Sequence, residues 1–252
     1  MSCLPSHGRV NCTRCFGDGA RVEFDRTRRT ADDGKWRITA NPLAWGNEEP
    51  EIVVLGFSKG PTQAGALATT PHDEIAYKKS RTAVGKILAH VGVVPKPANG
   101  GYSRMVDRLI ADRSGRFHFG SLVRCTVERF DELELERFDK HGKKRNPWKG
   151  SGGGMLDKFV STSFGREVAQ NCAANFLTDL PGSTKLVIMF GLGSNMSYVP
   201  EARMLISAAR PGAWRTVNEV AYTDGQVTFV HVEHFASQGA HLGSGPVKRL
   251  AF

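Results

Sequence analysis

Ile52-Val53-Val54-Leu55, closed by Gly56, is the stretch that decides the fold class. It is a continuous apolar run with β-branched residues, which is typical of a strand buried on both faces of a parallel sheet. Three more apolar runs follow along the chain, at 117–123, 186–190 and 227–232. Between them, residues 74–91 and 167–177 carry apolar positions at helical spacing.

This alternation of strands and helices predicts an α/β fold. We expect a three-layer sandwich, with a central, mainly parallel four-stranded sheet flanked by helices. Ligands of such sheets bind at the carboxyl ends of the strands. The segments that follow the four predicted strands are 56–61, 121–125, 191–194 and 233–237. We therefore expect the functional site to be built from these segments.

The composition indicates one basic domain. The chain has 252 residues, 40% of them apolar, which is enough to bury the core of a single domain spanning 1–252. Lys and Arg outnumber Asp and Glu by 34 to 25, so the formal net charge is +9. This surplus favours nucleic acid as the partner, although a basic protein without a polyanionic partner is an open alternative.

Targeting signals are missing from the sequence pattern. Met1–Val10 has no apolar stretch like that of a signal peptide, and no apolar run approaches the ~18 residues of a membrane span. We expect a cytoplasmic protein, prokaryotic or nucleoid-associated, that is a monomer and has no membrane partner.

Four of the five cysteines form a candidate metal centre. Cys12 and Cys15 are spaced as Cys-x-x-Cys, Cys125 follows an apolar run, and Cys172 lies in a helical pattern. In a reducing compartment, clustered cysteines bind metal more often than they form disulfides. Four thiolates could hold a zinc ion or a [4Fe–4S] cluster. Such a centre would anchor the irregular N-terminal segment, about 1–50, and leave Cys3 as the spare cysteine.

A basic insertion spans about residues 128–165. It is polar and charged, and it contains Lys143, Lys144 and Arg145 as well as a glycine-rich run at 150–154. Such composition is typical either of a solvated loop or of a nucleic-acid contact.

In their order along the chain, the strand ends and cysteines resemble the uracil-DNA glycosylase superfamily, specifically its iron–sulfur branch. The Gly56–Gly60 turn resembles the first motif of the family, and His234-Phe-Ala-Ser237 resembles the second, which is normally His-Pro-Ser. The cysteine order also matches, with Arg124-Cys125 in a Lys-Cys-Arg-like context. The resemblance covers roughly residues 10–245. It implies a structural [4Fe–4S] cluster, with zinc as the alternative.

The resemblance also implies a reaction and residue roles. A glycosylase flips a nucleotide out of the stack and hydrolyses its N-glycosidic bond, leaving an abasic site. His234 would donate a hydrogen bond to the pyrimidine O2 as negative charge develops there. Glu233, its neighbour, could orient His234, position water or be a surface residue without a role. Ser237 and the wedge candidate Leu242 would contact DNA. Gly56, Phe57, Ser58 and Ser121 would form the base pocket, and Lys143, Lys144 and Arg145 would hold phosphates of single- or double-stranded DNA.

Two residues depart from the family pattern. Phe57 stands where the branch commonly has a polar residue that handles water, so we expect Asp73 or Glu74 to take that role. Ser121 stands where an Asn amide often pairs with uracil, and a hydroxyl cannot make that two-sided match. We therefore expect a damaged or modified pyrimidine, including bulky bases as in some virus genomes, as the substrate in repair or in defence against foreign DNA.

Two other interpretations stay open. The chain could be a non-catalytic DNA-binding protein on the same fold, for which Phe57 is the best support. It could also be a metal-stapled enzyme of unrelated chemistry, against which the basic charge argues.

Overall fold

The computed structural model describes residues 4–17, 21–150 and 155–235. The strands are β1 (Gly8–Arg9), β2 (Arg28–Thr30), β3 (Trp36–Thr39), β4 (Leu43–Gly46), β5 (Ile52–Gly56), β6 (Phe117–Ser121), β7 (Thr126–Phe130), β8 (Trp148–Gly150), β9 (Leu186–Phe190), β10 (Arg215–Asn218), β11 (Ala221–Thr223) and β12 (Thr228–Val232). The helices are α1 (Pro61–Ala64), α2 (His72–Ile75), α3 (Arg81–His90), α4 (Tyr102–Ala111), α5 (Leu156–Val160), α6 (Ser163–Phe176) and α7 (Tyr198–Ala209). Short 3₁₀ turns lie at Ala98–Gly100, Glu132–Glu134 and Ser194–Met196.

The main sheet is larger than the sequence predicts. It is a mixed eight-stranded sheet in the order β1-β4-β6-β5-β9-β12-β11-β10. The four strands expected from apolar runs are β5, β6, β9 and β12, and they pair parallel in its middle. β4 and β11 pair antiparallel on either side of them. A second, antiparallel sheet has the order β2-β3-β7-β8. The prediction of a central four-stranded sheet is therefore wrong.

The additional strands are short and lack the apolar runs that mark the central ones. β1 has two residues, and all four residues of β10 are exposed. β4 is fully buried, but its four residues include a glycine and lie in an irregular N-terminal segment. The spacing and composition of apolar residues predict a strand when both of its faces are buried over several residues. The additional strands are too short or too exposed to show that pattern.

Helices cover both faces of the main sheet. Along β5, Val53 and Leu55 point into one core, which also contains buried residues of α5, α6 and α7. Ile52 and Val54 point into the other core, which contains buried residues of α3 and α4. Successive residues of a strand point to opposite faces, so one apolar run supplies both cores. Among the described helices, none is long and apolar enough to span a lipid bilayer.

The basic insertion contains more regular structure than its composition predicts. β7 is a central strand of the second sheet and β8 pairs with it in register, with Phe130 opposite Trp148. Beyond β8, Phe159 and Val160 of α5 are fully buried. At the carboxyl end of β8, a methyl group added to Gly150 would lie 2.7 Å from Cγ of Pro61. The insertion is therefore packed directly against the start of α1.

Candidate active site and cysteine centre

A pocket lies at the carboxyl edge of the parallel strands; we call it the edge pocket. Gly56 and Ser121 are paired in register at this edge, and the chain after Ser121 is held by Leu122 N–H donating to Gly56 O at 2.8 Å. The residues that line the edge pocket are Trp45, Gly56, Phe57, Ser58, Gln63, Tyr77, Gly120, Ser121, Phe190, Tyr198, His234 and Phe235. The four predicted pocket residues and His234 are all among them.

Aromatic rings form the walls of the edge pocket. Tyr77 meets Phe190 and Phe235 edge-on, at ring-centroid distances of 5.8 and 5.4 Å. Phe57 is nearly buried and packs on Phe159 at 5.8 Å. The free volume between the walls is about 30 Å³, which is room for only a few water molecules. A ligand larger than a few water molecules can therefore enter only after one of these side chains moves.

His234 is the one predicted catalytic residue that lines the edge pocket. Its ring packs on that of Phe235 at 4.1 Å. Burial lowers the pKa of the imidazole below its usual value, so the ring is neutral at pH 7. A neutral imidazole can donate one hydrogen bond to an oxygen on which negative charge develops.

The predicted carboxylates do not line the pocket. Asp73 and Glu74 lie in α2, where Asp73 Oδ1 is 2.6 Å from Nε2 of His7. His7, His72 and Asp73 have ligand atoms within 4.8 Å of one another, and His72 also stacks on Trp45 at 4.9 Å. Glu233 precedes His234 but is not a lining residue. Among the described residues, no carboxylate lines the edge pocket.

Seven lining residues were not among the predicted site residues. Gly120, Phe190 and Phe235 lie in or beside predicted strands, whereas Trp45, Gln63, Tyr77 and Tyr198 lie outside them. Gln63 lies one turn after the Gly56–Gly60 motif, in α1, so its position beside the motif is a usable signal. The three aromatic residues come from separate segments with no motif. Tyr198 is held by its hydroxyl, which accepts a hydrogen bond from Leu156 N at 2.8 Å.

The four predicted cysteines come together; we call Cys12, Cys15, Cys125 and Cys172 the cysteine centre. All four are free thiols, and three of them are buried. Burial, with smaller contributions from the neighbouring Cys125 and Cys12, raises the pKa of Cys15 to about 11. Burial, together with Cys125 and Cys15, also raises the pKa of Cys172. Such mutual effects require the sulfurs to be close to one another.

One face of α6 holds the N-terminal cysteines. Asn171 Nδ2 donates to Cys15 Sγ and Asn175 Nδ2 to Cys12 Sγ, each at 3.7 Å. Glu167, one turn earlier, receives both guanidinium arms of Arg29 at 2.6 and 2.8 Å, and Arg29 also donates to the Cys15 carbonyl. The spacing of 167, 171 and 175 is a helical stripe that is visible in the sequence but was not used to find the centre.

Two buried cations accompany the cysteine centre. Lys59 is 2% exposed, and its Nζ donates to the carbonyl of Arg124. Burial lowers the pKa of Lys59 to about 8, while Cys125 and Cys172 raise it. The Arg124 guanidinium is 1% exposed and donates to Leu43 O and His118 Nε2, but its Nε has no hydrogen-bond partner among the described residues.

The cysteine centre, together with Lys59 and Arg124, fits a negatively charged group that the cysteine thiolates would hold. Burying two cations without counter-charge costs several kcal/mol per ion, and four neutral thiols would not offset that cost. Among the described residues, no three of the four sulfurs lie within 4.8 Å of one another. A tetrahedral zinc with Zn–S bonds of about 2.3 Å would bring its thiolates to about 4 Å from one another. The thiolates of a [4Fe–4S] cluster bind irons at separate corners and lie farther apart, so the donor set is compatible with either group.

The basic hairpin, residues 137–145, lies in the insertion. It is closed by Arg145 N–H donating to Arg137 O at 2.9 Å and by a bridge between Phe138 and Lys144. Lys143 and Lys144 are exposed, and no ion pair engages their side chains in the described part of the chain.

Arg145 forms an ion pair within the protein, so its side chain is already engaged and is not free to bind a phosphate. It lies 3.4 Å from the buried carboxylate of Glu134, which also pairs with Arg137 and Lys149. Ser237 and Leu242, the other predicted DNA contacts, lie outside the described residues, as does Cys3.

A scan of protein-family models gives no match to this chain, and a search of curated proteins gives none either.

Proposed function

We propose that the protein is a DNA glycosylase that hydrolyses the N-glycosidic bond of a flipped pyrimidine, damaged or modified, and leaves an abasic site. The observation that carries this proposal is the edge pocket: Gly56, Phe57, Ser58, Ser121 and His234 line one aromatic-walled pocket where parallel strands end. Aromatic walls suit a flipped base, because every base has a face on which a ring can stack.

His234 has the chemistry that the reaction needs from the protein. As the bond between the sugar C1′ and the base nitrogen breaks, its electron pair moves onto the base. The neutral imidazole then donates a hydrogen bond to the pyrimidine O2, where charge accumulates. Water adds its oxygen to C1′, and its proton ends on the base nitrogen.

Gln63 is our candidate for orienting that water. Its carboxamide is the only amide that lines the edge pocket in the described residues, and it follows the motif turn directly. An amide can accept a hydrogen bond from water while it donates another, although it cannot take the proton away.

The cysteine centre is the proposed holder of a structural [4Fe–4S] cluster, with zinc as the alternative. When bound, the cluster would tie the segment that carries Cys12 and Cys15 to α6 and to the end of β6. Lys59 and Arg124 offset the negative charge of the thiolates. Because Lys59 belongs to the Gly56–Gly60 turn, the chain itself connects the centre with the edge pocket.

DNA binding is supported by the surplus of positive charge and by the basic hairpin. Because β8 contacts Pro61, the basic hairpin leads directly to α1, the helix that carries Gln63 of the edge pocket. Phosphate contacts from Lys143 and Lys144 would make affinity fall steeply with salt.

The experiment uses oligonucleotides that carry uracil, cytosine or 5-substituted pyrimidines, in single and double strands. Incubation with the protein and then with alkali breaks the strand wherever a base was removed. We expect His234→Ala to lower the rate by about 10²- to 10³-fold. His90→Ala, on the exposed side of α3, is the control and should keep the full rate.

A second candidate is a non-catalytic DNA-binding protein on the same fold. The observation that favours it is the lack of a carboxylate among the described residues of the pocket lining. Gel-shift binding without strand breaks for every base tested would establish this candidate and reject the glycosylase.

A further inference from the structure

Tyr77 has an unusual position in the edge pocket. It is 6% exposed, and its ring lies edge-on to Phe119, Phe190 and Phe235 at centroid distances of 6.1, 5.8 and 5.4 Å. Three phenylalanine rings would pack as well against a fourth phenylalanine. The hydroxyl of Tyr77 therefore needs an explanation that packing does not provide.

That hydroxyl is buried and has no hydrogen-bond partner among the described residues. A buried polar group without a partner is rare and destabilising. The same pocket contains the opposite case, because the hydroxyl of Tyr198 accepts a hydrogen bond from Leu156 N at 2.8 Å. Of these two lining tyrosines, one has its hydroxyl satisfied within the protein and the other does not.

The backbone also holds Tyr77 at a cost. Its φ is +51°, in the left-handed region that a bulky side chain seldom adopts. The turn is fixed by Ser80 N–H donating to Tyr77 O at 2.8 Å and by Arg81, whose Nε donates to Ala76 O at 3.0 Å. Strain of this kind persists where the surrounding structure enforces it, and it is concentrated at binding sites.

We propose that Tyr77 is a specificity-determining residue whose hydroxyl donates a hydrogen bond to an acceptor oxygen on the flipped base. This inference rests on the proposed function. His234 is assigned to O2, so the acceptor is a carbonyl at position 4 or an oxygen on a substituent at position 5. Burial raises the pKa of Tyr77, which keeps the hydroxyl protonated and able to donate.

The proposed hydrogen bond from Tyr77 to the base compensates for the amide contact that Ser121 cannot make. A serine hydroxyl at the strand end cannot supply the paired donor and acceptor of an amide. A second hydroxyl, fixed on the aromatic wall, provides another directed contact. A base that lacks the matching oxygen would leave Tyr77 unsatisfied, and this is the situation in which polar sites discriminate most strongly.

The first test is thermal unfolding of Tyr77→Phe, with Tyr198→Phe as the matched control. Removing the unsatisfied hydroxyl should leave the melting temperature unchanged or raise it by about 2–4 °C. Removing the satisfied hydroxyl should lower it by a similar amount, because Leu156 N loses its partner. A Tyr77→Phe variant that melts as low as Tyr198→Phe would show that the hydroxyl has a structural partner, and the proposal would be overturned.

The second test compares excision of uracil, 5-hydroxymethylcytosine and cytosine from oligonucleotides. Tyr77→Phe should slow removal of the base that carries the acceptor by about 10- to 100-fold and leave cytosine unaffected. An effect on uracil assigns the acceptor to position 4, and an effect on 5-hydroxymethylcytosine assigns it to the substituent. Unchanged rates in an active protein would overturn the role of Tyr77 and leave the glycosylase standing.

Failure of the glycosylase proposal can be distinguished from failure of the proposed role of Tyr77 by measuring the binding of the same three free bases by calorimetry. If the wild-type protein removes none of these bases, the glycosylase proposal loses its support. Binding of an acceptor-bearing base that weakens 10-fold or more in Tyr77→Phe would still support the role of Tyr77. Equal affinities in the two proteins, or binding to neither, would overturn it.

Discussion

The cysteine centre and the edge pocket are both buried, yet they treat polar groups in opposite ways. In the cysteine centre, Asn171 and Asn175 donate to sulfurs, and two buried cations face four thiols. In the edge pocket, Tyr77 keeps a hydroxyl without a partner among the described residues, and His234 is held neutral. The polar pairs of the cysteine centre stabilise the fold, although Arg124 Nε has no partner there among the described residues. The unsatisfied hydroxyl of Tyr77 destabilises the protein unless a ligand accepts its hydrogen bond. The comparison therefore supports a structural role for the first region and the proposed recognition role for the second.

The largest expected effect is on the cysteine centre. Cys172→Ser removes a proposed cluster ligand from the middle of α6, so we expect loss of protein-bound iron and of its visible absorbance, with a large fall in melting temperature. Iron analysis of anaerobically purified protein measures the first effect. Cys3→Ser should retain the metal. A Cys172→Ser protein with full iron content would remove the basis of the comparison.

The next largest effect is expected at Lys59, where the direction of the change in stability depends on the charge of the cysteine centre. Lys59→Met should stabilise the metal-free protein by about 1–4 kcal/mol, because it removes a buried cation that has no anionic partner. It should destabilise the metal-loaded protein by about 3–5 kcal/mol, because one partner of a buried charge pair is removed. Urea unfolding of both forms measures the two values.

Lys86→Met, on the exposed side of α3, serves as the control for Lys59→Met and should change neither form. A Lys59→Met effect of the same sign in both forms would mean that the centre carries no net negative charge.

The smallest effect is expected at the basic hairpin. The double substitution of Lys143 and Lys144 by Ala should weaken DNA binding for all sequences alike. It should also lower the slope of log affinity against log salt by about 1 for each phosphate that the protein no longer neutralises. Fluorescence anisotropy between low and physiological salt measures this. Lys185→Ala, at the amino end of β9 and thus at the opposite sheet edge, should have no effect. Altered excision at saturating protein would indicate that the hairpin acts on the edge pocket itself.

Sequence reasoning located the parts of the fold that depend on long apolar runs. β5, β6, β9 and β12 are such runs, because both of their faces are buried. The flanking strands were missed, since two residues in β1 or four exposed residues in β10 carry no detectable period. Burial of Phe159 and Val160 within the basic insertion was also missed, because the surrounding residues are polar.

The residues of the candidate site also divide into those that the sequence predicts and those that it does not. Gly56, Ser121 and His234 were predictable because they follow strands whose ends meet at one edge. Asp73 and Glu74 were proposed from their nearness to the motif in sequence, but the structure turns Asp73 toward His7. Tyr77 enters the pocket through a left-handed turn, which no local pattern announces in a non-glycine residue.

The contact between Gly150 and Pro61 has a consequence for where along a nucleic-acid strand the protein would act. A side chain at position 150 would collide with the proline ring, so the strand that leads out of the basic hairpin is pressed against the first helix after the motif. Lys143 and Lys144 therefore belong to a hairpin whose second strand ends in contact with α1. A glycosylase built in this way would engage a base at a set offset from the phosphates that Lys143 and Lys144 contact, so the position of the base along the strand would be selected together with its identity.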